Sequence, residues 1–556
     1  MMIKSSLWRA LMIGGMSVLA VAHTEVSKAQ QSALLDRTKL QGWHLLDKER
    51  DGYMGISLDK AKEQYLNGKP SHKVLVAVID AGVDTAHAGL KERLWHNPKE
   101  EAGNGVDDDK NGYVDDVYGW NFLGRTNDPS VNVDKDSYEF QRIYFRDKAK
   151  FENISNAAAL KGREKADYEQ WLRAKELTLD KNEGAGQEKE QLLMLQQFFG
   201  RADSLLRRHI APTYGIAEVD TVKLDGASQE MMASVNLLKM LIEGLGGGVD
   251  NQGIPSKLDE MLADAENNAS ALPDSVPNYR GNVVNDNYYD FKDRYYGNTN
   301  VNAGDVMHGT HVAGIIGGIP QDNGARGVVD NVELMTIRAV PDGDEHDKDV
   351  ANAIRYAVDN GASIINMSFG KAISPEEEEV QKAIQHATKK GVLIVHAAGN
   401  ENSNIDTAYN FPRSIYKGKR IPNYISVGAS TDTSFTRDKL LVAPFSNYGK
   451  ERVDVFAPGV LIYATVPGGD YQFLQGTSMA SPVVAGLAAL LKSYYPKLKA
   501  KELKALIEDS AVRVDYLSPV NGVGDQVSLG DISRTGGIVN AYEAFKLAED
   551  RYGAIK

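Results

Sequence analysis

The period of hydrophobic and polar positions changes twice along the chain. Residues 73–80 (KVLVAVID) form a nearly unbroken β-branched run, the pattern of a strand covered on both faces in a parallel sheet. Similar runs recur at 332–340, 362–369 (ASIINMSF), 392–396, 425–429 and 454–457. Helical periods fall between and after them, at 350–360, 375–390, the long apolar stretch after Gly476, 500–509 and 539–548. The 375–390 segment runs from acidic to basic, the order that complements a helix dipole. This alternation predicts an α/β fold, a doubly wound and mostly parallel sheet with helices on both faces. From 125 to 285 the texture is different. Charged amphipathic helices are predicted at 140–154, 160–177, 188–210, 229–245 and 256–271, with hinges at 181–187 and 244–248. Leu192, Leu195, Phe199, Leu205 and Leu206 fall on one apolar face, so a mainly helical insertion on or beside the α/β core is expected. Residues 53–66 suggest a short helix or a turn followed by a helix, whereas 31–51 are polar with no assigned element.

With 556 residues the chain can bury a sizeable core. Its formal charge of −13 argues against a broad nucleic-acid-binding surface. Residues 1–29 carry Lys4 and Arg9, then the apolar run 10–22, then small residues up to Ala29, the layout of a signal peptide. Cleavage after Ala22 is the rival to cleavage after Ala29. No other segment is apolar over a membrane-spanning length without charge, so no stable membrane span is expected after signal removal. The protein is expected to be exported, to the periplasm or the extracellular space. Absence of cysteine excludes disulfides and leaves the core or bound ions as the source of stability. The expected division is signal peptide 1–29, an N-terminal segment 30–52, a catalytic domain from 53–124 with 286–548, the insertion 125–285 and a tail 549–556.

Three positions carry candidate chemistry. Asp80 stands at the carboxyl end of the first strand, where α/β folds place their sites, although a turn aspartate has the same look. His308 opens a helix in HGTHVAG (308–314). Ser478 follows a glycine turn at a helix start, where unpaired N–H groups can stabilise negative charge on an acyl oxygen. A plain N-cap serine fits that stretch equally well. Taken together the three suggest more, because a serine nucleophile needs an imidazole base and a carboxylate to orient the base. His311 tempts a zinc reading with His308, but zinc needs further ligands and would occupy that imidazole, so a packed helix residue is expected.

Residues 104–121 (NGVDDDKNGYVDDVYGWN) gather aspartates around a glycine turn. Asp107, Asp109, Asn111, the Tyr113 carbonyl and Asp115 alternate as the oxygen donors of a Ca²⁺ loop do, with Gly112 at the sharp turn. Tyr118 stands where the closing glutamate would be, and Asp116 is the candidate to replace it. The alternative is a solvated acidic turn; mutual repulsion of the carboxylates favours a structural Ca²⁺. No organic cofactor is indicated.

Five segments share a family likeness. VAVIDAGVD (76–84), HGTHVAG (308–314), NMSFG (366–370), HAAGN (396–400) and GTSMASP (476–482) resemble the signatures of subtilisin-like serine peptidases, in that family's chain order. The resemblance covers residues 53–121 and 285–548. It implies Ser478 as nucleophile, His308 as general base and then acid, Asp80 as its orienting partner and Asn400 as an oxyanion donor. It also implies that Ser368, Phe369 and Gly370, with Ala397, Ala398 and Gly399, receive an extended polypeptide substrate. The chain departs from the family in two places. Asp80 and His308 lie 228 residues apart because the insertion intervenes. Residues 30–52 are too few for the usual folding propeptide, so the insertion, or its calcium-loop base, is expected to aid folding or gate the cleft. No C-terminal sorting or carbohydrate-binding module is expected. Glu401, directly after Asn400, would favour a basic P1 residue, and an apolar P1 slot is equally compatible with the sequence. Two other classes remain to compare: a non-catalytic calcium-dependent binding protein, and an esterase. Against the second, Ser478 lies in Gly-Thr-Ser-Met-Ala rather than Gly-x-Ser-x-Gly.

Overall fold

The structure, a computed structural model, describes residues 40–224, 226–244, 250–269, 275–435, 440–514, 517–519 and 526–553. The expected signal peptide, residues 30–39 of the N-terminal segment, nearly all of the 244–248 hinge and the last three residues of the tail lie outside the described residues. The chain divides into two compact units. One contains Leu35–Glu139 and Pro277–Lys556, and the other contains Phe140–Val276.

The larger unit is built on a nine-stranded sheet. Its strands in chain order are β1 (Val74–Asp80), β2 (Gly119–Asn121), β3 (Val332–Arg338), β4 (Ile364–Met367), β5 (Leu393–Ala397), β6 (Tyr424–Ser430), β7 (Val455–Pro458), β10 (Val512–Arg513) and β11 (Gly537–Ile538). Two further strands, β8 (Ile462–Val466) and β9 (Asp470–Leu474), form a separate antiparallel hairpin. The spatial order is β10-β11-β7-β6-β5-β4-β1-β3-β2, parallel throughout except for β10 on β11. Strand β1 pairs with β3 on one side and β4 on the other. The chain order reverses there, and Asp80 stands at the carboxyl end of that strand, the usual ligand position in an open α/β sheet.

Alternation along the strands splits the core in two. Val74, Val76 and Val78 join one buried cluster, and Ala77 and Ile79 join the other. The first lies under the helices Met307–Gly317 and Thr477–Tyr494, and the second under Asp347–Asp359 and Glu377–Lys390. The mostly parallel sheet and the helices on both faces agree with the sequence expectation. Of residues 40–51, which the sequence left unassigned, Leu40, Trp43 and Leu45 belong to the first cluster. Trp43 is fully buried and its Nε1–H reaches the Val460 and Leu461 carbonyls. Asp47 caps the short helix Lys48–Asp51.

In the other unit, Gly162–His209 is one continuous helix of 48 residues, roughly 70 Å long at 1.5 Å per residue. The hinge expected at 181–187 is therefore absent. Gly184 and Gly186 cost about 1 kcal/mol each in a helix interior but leave every N–H in place, and no proline stands there to break the ladder. Leu192, Leu195, Phe199 and Leu206 pack with Val235, Leu238, Leu241, Ile242, Ile254 and Leu258 from the helices Gln229–Gly244 and Gly253–Ala269. Leu205 is only half-buried. Among the described residues no helix is long and apolar enough to cross a membrane.

Candidate active site

Asp80 ends β1 with one carboxylate oxygen doubly engaged. Its Oδ1 accepts the Ala81 N–H at 2.8 Å and lies 2.7 Å from His308 Nδ1. Oδ2 is buried and makes no hydrogen bond among the described residues. His308 comes from the second residue of the helix Met307–Gly317, which approaches β1 closely because position 309 is glycine. A Cβ there would stand 2.0 Å from the Gly82 carbonyl and 3.1 Å from Asp80. Burial pushes the His308 pKa down, but the charge and hydrogen bond of Asp80 outweigh burial and hold it above the ordinary 6.5. His311, one turn on, is fully buried, and Nε2 lies 3.0 Å from the Gln472 carbonyl of the hairpin. Burial lowers its pKa to about 4, so it is neutral and a packed helix residue.

Ser478 occupies the first turn of Thr477–Tyr494, behind Gly476 at φ +152°. Its Oγ donates to the Ser368 carbonyl at 3.1 Å, and among the described residues no hydrogen bond joins it to His308. Pro482 is the sixth residue of that helix. A proline cannot donate to the carbonyl four residues back, which here is that of Ser478. The Ser368 hydroxyl supplies the missing donor at 3.0 Å. Ser368 Oγ also receives the Asn366 amide at 3.0 Å and meets Ser481 Oγ at 2.9 Å, while Ser481 donates to Asn366 Oδ1 at 2.9 Å. This closed knot lies under the serine turn. The Ser368 side chain thus props the Ser478 backbone.

Asn400 is held by the residue before Ser478. Its Oδ1 accepts the Thr477 N–H at 2.8 Å and the Thr477 hydroxyl at 3.0 Å, leaving the Nδ2 amide as a donor with no hydrogen bond among the described residues. Thr477 Oγ1 in turn accepts the Gly399 N–H at 3.0 Å. The expected substrate edges are placed as two stretches. Phe369 and Gly370 are half-buried, with the Phe369 carbonyl 2.7 Å from His396 Nε2. Ala397 and Ala398 are buried, and the Ala398 carbonyl already accepts the Asn410 and Asn447 amides at 2.7 and 2.9 Å. Of that second stretch only Gly399 is partly open. Asn410 also lies against Gly370, where a Cβ would stand 2.8 Å from Asn410 Oδ1. It bridges the two edges, a role nothing in its surrounding sequence signals.

The acidic loop regroups its expected ligands. Asp109 and Asp116 converge with Glu100, their carboxylate oxygens within 4.8 Å of one another. Asn111 directs its amide at both aspartates, 3.2 and 3.0 Å away, and Asn97 directs its own at 3.2 and 2.8 Å. Asp107 instead accepts the Asn111 and Gly112 N–H groups, and Asp115 those of Gly103, Asn104 and Gly105. These two carboxylates shape the loop. The Tyr113 side chain is buried, and its hydroxyl donates to the Arg294 carbonyl. Burial raises the Asp116 pKa to about 6 despite the Tyr356, Asn111 and Asn97 hydrogen bonds, and burial raises Glu100 as well. Oxygen-rich, half-buried at Glu100 and Asp109 and buried at Asp116, the trio fits a hard divalent cation. Glu100 escaped the sequence reading because it precedes the alternating run.

A sequence model described as the Subtilase family matches residues 71–531. The thermophilic serine proteinase of Bacillus sp. (strain AK1) is 37% identical over 259 residues, covering 46% of this chain and 57% of that one. Thermitase of Thermoactinomyces vulgaris is 36% identical over 239 residues, 43% of this chain and 74% of that one. Subtilisin DY of Bacillus licheniformis is 36% identical over 208 residues, 37% and 71% respectively. The match thus spans little more than half the length of the first of these relatives and about seven tenths of the other two.

Proposed function

The chain belongs to the subtilase family, and from that premise we propose that it is an exported serine endopeptidase whose catalytic domain is the larger unit and whose inserted helical unit is accessory. The observation that carries the reading is the 2.7 Å contact of His308 Nδ1 with Asp80, on the same face of the sheet as the serine turn at Ser478. A fluorophosphonate probe is expected to label the wild type and not Ser478→Ala, with casein cleaved only by the former. A wild-type chain that resists the probe and leaves casein intact would overturn the proposal, and would favour a calcium-dependent binding protein.

The chemistry follows from the placement of each group. With Nδ1–H donated to Asp80, His308 presents the Nε2 lone pair to the cleft. Rotation of the Ser478 side chain moves Oγ from the Ser368 carbonyl towards Nε2, a rearrangement of the kind unliganded sites commonly undergo. Oγ then attacks the scissile carbonyl carbon and its proton passes to Nε2. Negative charge forms on the carbonyl oxygen, where Asn400 Nδ2 and the Ser478 backbone N–H donate to it. Asp80 stabilises the imidazolium, which returns its proton to the leaving amine as the C–N bond breaks. Water repeats the sequence on the acyl-enzyme: it loses a proton to His308, releases the carboxylic acid and restores the serine. An extended substrate lies along Phe369–Gly370 and Gly399, its backbone read as a strand.

Glu100, Asp109 and Asp116 would hold a structural Ca²⁺ in this reading, with Asn97 and Asn111 beside them. Bound Ca²⁺ would offset the buried negative charge and fix the loop between Trp95 and β2. Export rests on the layout of residues 1–29 and places the mature enzyme in the periplasm or outside the cell. N-terminal sequencing of the secreted protein tests it, and an unprocessed chain retained in the cytosol would refute it.

A further inference from the structure

Beside the substrate edge lies a buried ion network that the proposed reaction does not use. Lys371 follows Gly370 directly and is 4% exposed. Its Nζ contacts Glu139 Oε2 at 3.0 Å, Asp347 Oδ1 at 2.9 Å and the Glu345 carbonyl at 2.7 Å. Its backbone makes a two-way bridge to Phe411, N–H to carbonyl at 3.1 and 3.0 Å. That bridge carries Asn410, whose amide donates to the Ala398 carbonyl of the opposite edge. One residue therefore connects both substrate edges through its main chain and the ion network through its side chain.

The far end of the network meets the two stems of the insertion. Glu139 is the first residue of the helix Glu139–Phe151, which enters the inserted unit, and its own N–H donates to Asp344 at 2.9 Å. Arg280 follows three residues after that unit returns at Pro277. It clasps Asp349 at 2.7 and 2.6 Å and Asp286 at 2.6 Å, and Lys348 reaches Asp286 at 2.6 Å. Asp347, Lys348 and Asp349 are consecutive residues of the first turn of Asp347–Asp359, so outgoing and returning stems are tied to one helix end. Asp347 also accepts the Ser374 hydroxyl and the Glu376 N–H, which fixes the approach to Glu377–Lys390. Removing one partner from such a buried pair leaves an uncompensated charge, so loss of the Glu139 carboxylate is felt at Lys371.

We propose that Lys371 is a positioning residue for substrate, holding the 369–370 and 398–411 edges in register, and that Glu139 sets its position from the foot of the insertion. The proposal rests on the peptidase reading above. It makes the width of the cleft, rather than the acyl-transfer chemistry, depend on the stem of the inserted helix.

The test uses the full-length protein and the variants Glu139→Gln, Lys371→Met and Lys371→Arg. Three readouts separate positioning from general damage: KM for an extended peptide, kcat, and the rate of labelling by a small fluorophosphonate that needs no extended binding. Glu139→Gln keeps the side-chain volume and loses the charge. It is expected to raise KM about tenfold, with kcat and labelling rate within twofold of wild type. Lys371→Met should raise KM further, and Lys371→Arg should restore most of the loss. An unchanged KM in Glu139→Gln overturns the inference. So does a parallel fall of labelling and peptide turnover, which would make the network a scaffold only. If Lys371→Met does not fold, Glu139→Gln and Lys371→Arg still decide it. A wild type that neither labels nor cleaves fails at the peptidase reading, and the inference falls with it.

Discussion

Replacing Thr477 by valine tests the oxyanion assignment without touching a reacting group. Thr477 is fully buried, and valine preserves its shape while deleting one hydroxyl. That hydroxyl donates to Asn400 Oδ1 at 3.0 Å and accepts the Gly399 N–H at 3.0 Å. Asn400 would retain only the Thr477 backbone N–H, which leaves the amide plane free to swing about one contact instead of two. Complete loss of an oxyanion donor costs about 10²–10³ in kcat. Loosening it by one of two supports should forfeit part of that, roughly tenfold in kcat, with KM little changed because the interaction strengthens only as charge forms. Stability should fall by about 1–3 kcal/mol for the unpaired Gly399 N–H and the lost hydroxyl bond. Steady-state hydrolysis of a chromogenic peptide and urea unfolding read the two effects separately. Thr477→Ser keeps the hydroxyl and should stay within a few-fold of wild type. A cycle with Asn400→Ala provides the decisive comparison, since in that background Thr477→Val should add little to the kcat defect. An undiminished kcat in Thr477→Val, or defects that multiply in the double variant, would refute the idea that Thr477 acts through Asn400.

Four further outcomes are expected. Because Asp80 holds the His308 pKa above 6.5 and only the neutral imidazole accepts the serine proton, kcat/KM should rise with pH through a value above 6.5; an acid limb centred below it would contradict the geometry. The same raised value stabilises the fold below pH 6.5 and loses that contribution as pH climbs through the folded pKa, so Asp80→Asn should flatten this part of a stability–pH curve. Removal of Ca²⁺ by a chelator should lower the melting temperature by several degrees, and Glu100→Gln should abolish most of that difference, whereas a chelator-insensitive wild type would return the loop to a solvated acidic turn. Ser368→Ala should destabilise the protein by about 1–3 kcal/mol, because the Ser478 carbonyl faces Pro482 and has no helical donor to replace the lost hydroxyl; a neutral result in urea unfolding would break that argument.

What could be read in advance divides along physical lines. The sheet was legible because strands buried on both faces have to be continuous apolar runs, as in 73–80, and the helices between them carry a 3.6-residue period. The placement of short motifs was legible too, since Asp80 ends a strand and His308 and Ser478 open helices. Partners supplied from elsewhere in the chain were not. The Ser368 hydroxyl compensates for a proline 114 residues later, and no local pattern announces such a pairing. Thr477 was visible inside its motif, yet its hydroxyl has a role only once Asn400 and Gly399 are brought beside it. The 181–187 hinge failed for the opposite reason: local glycine content suggested a break, but the ladder survives glycine, and packing of the 192–206 face against two neighbouring helices lies beyond any short window. The acidic loop lies between these cases. Alternating oxygens correctly marked a place of concentrated charge, while the division of labour within it was set by folding. Backbone N–H groups claimed Asp107 and Asp115, and the buried position went to Asp116, with Glu100 brought in from the preceding turn. A linear ligand pattern specifies charge density, and the three-dimensional turn decides which carboxylates remain available to a cation.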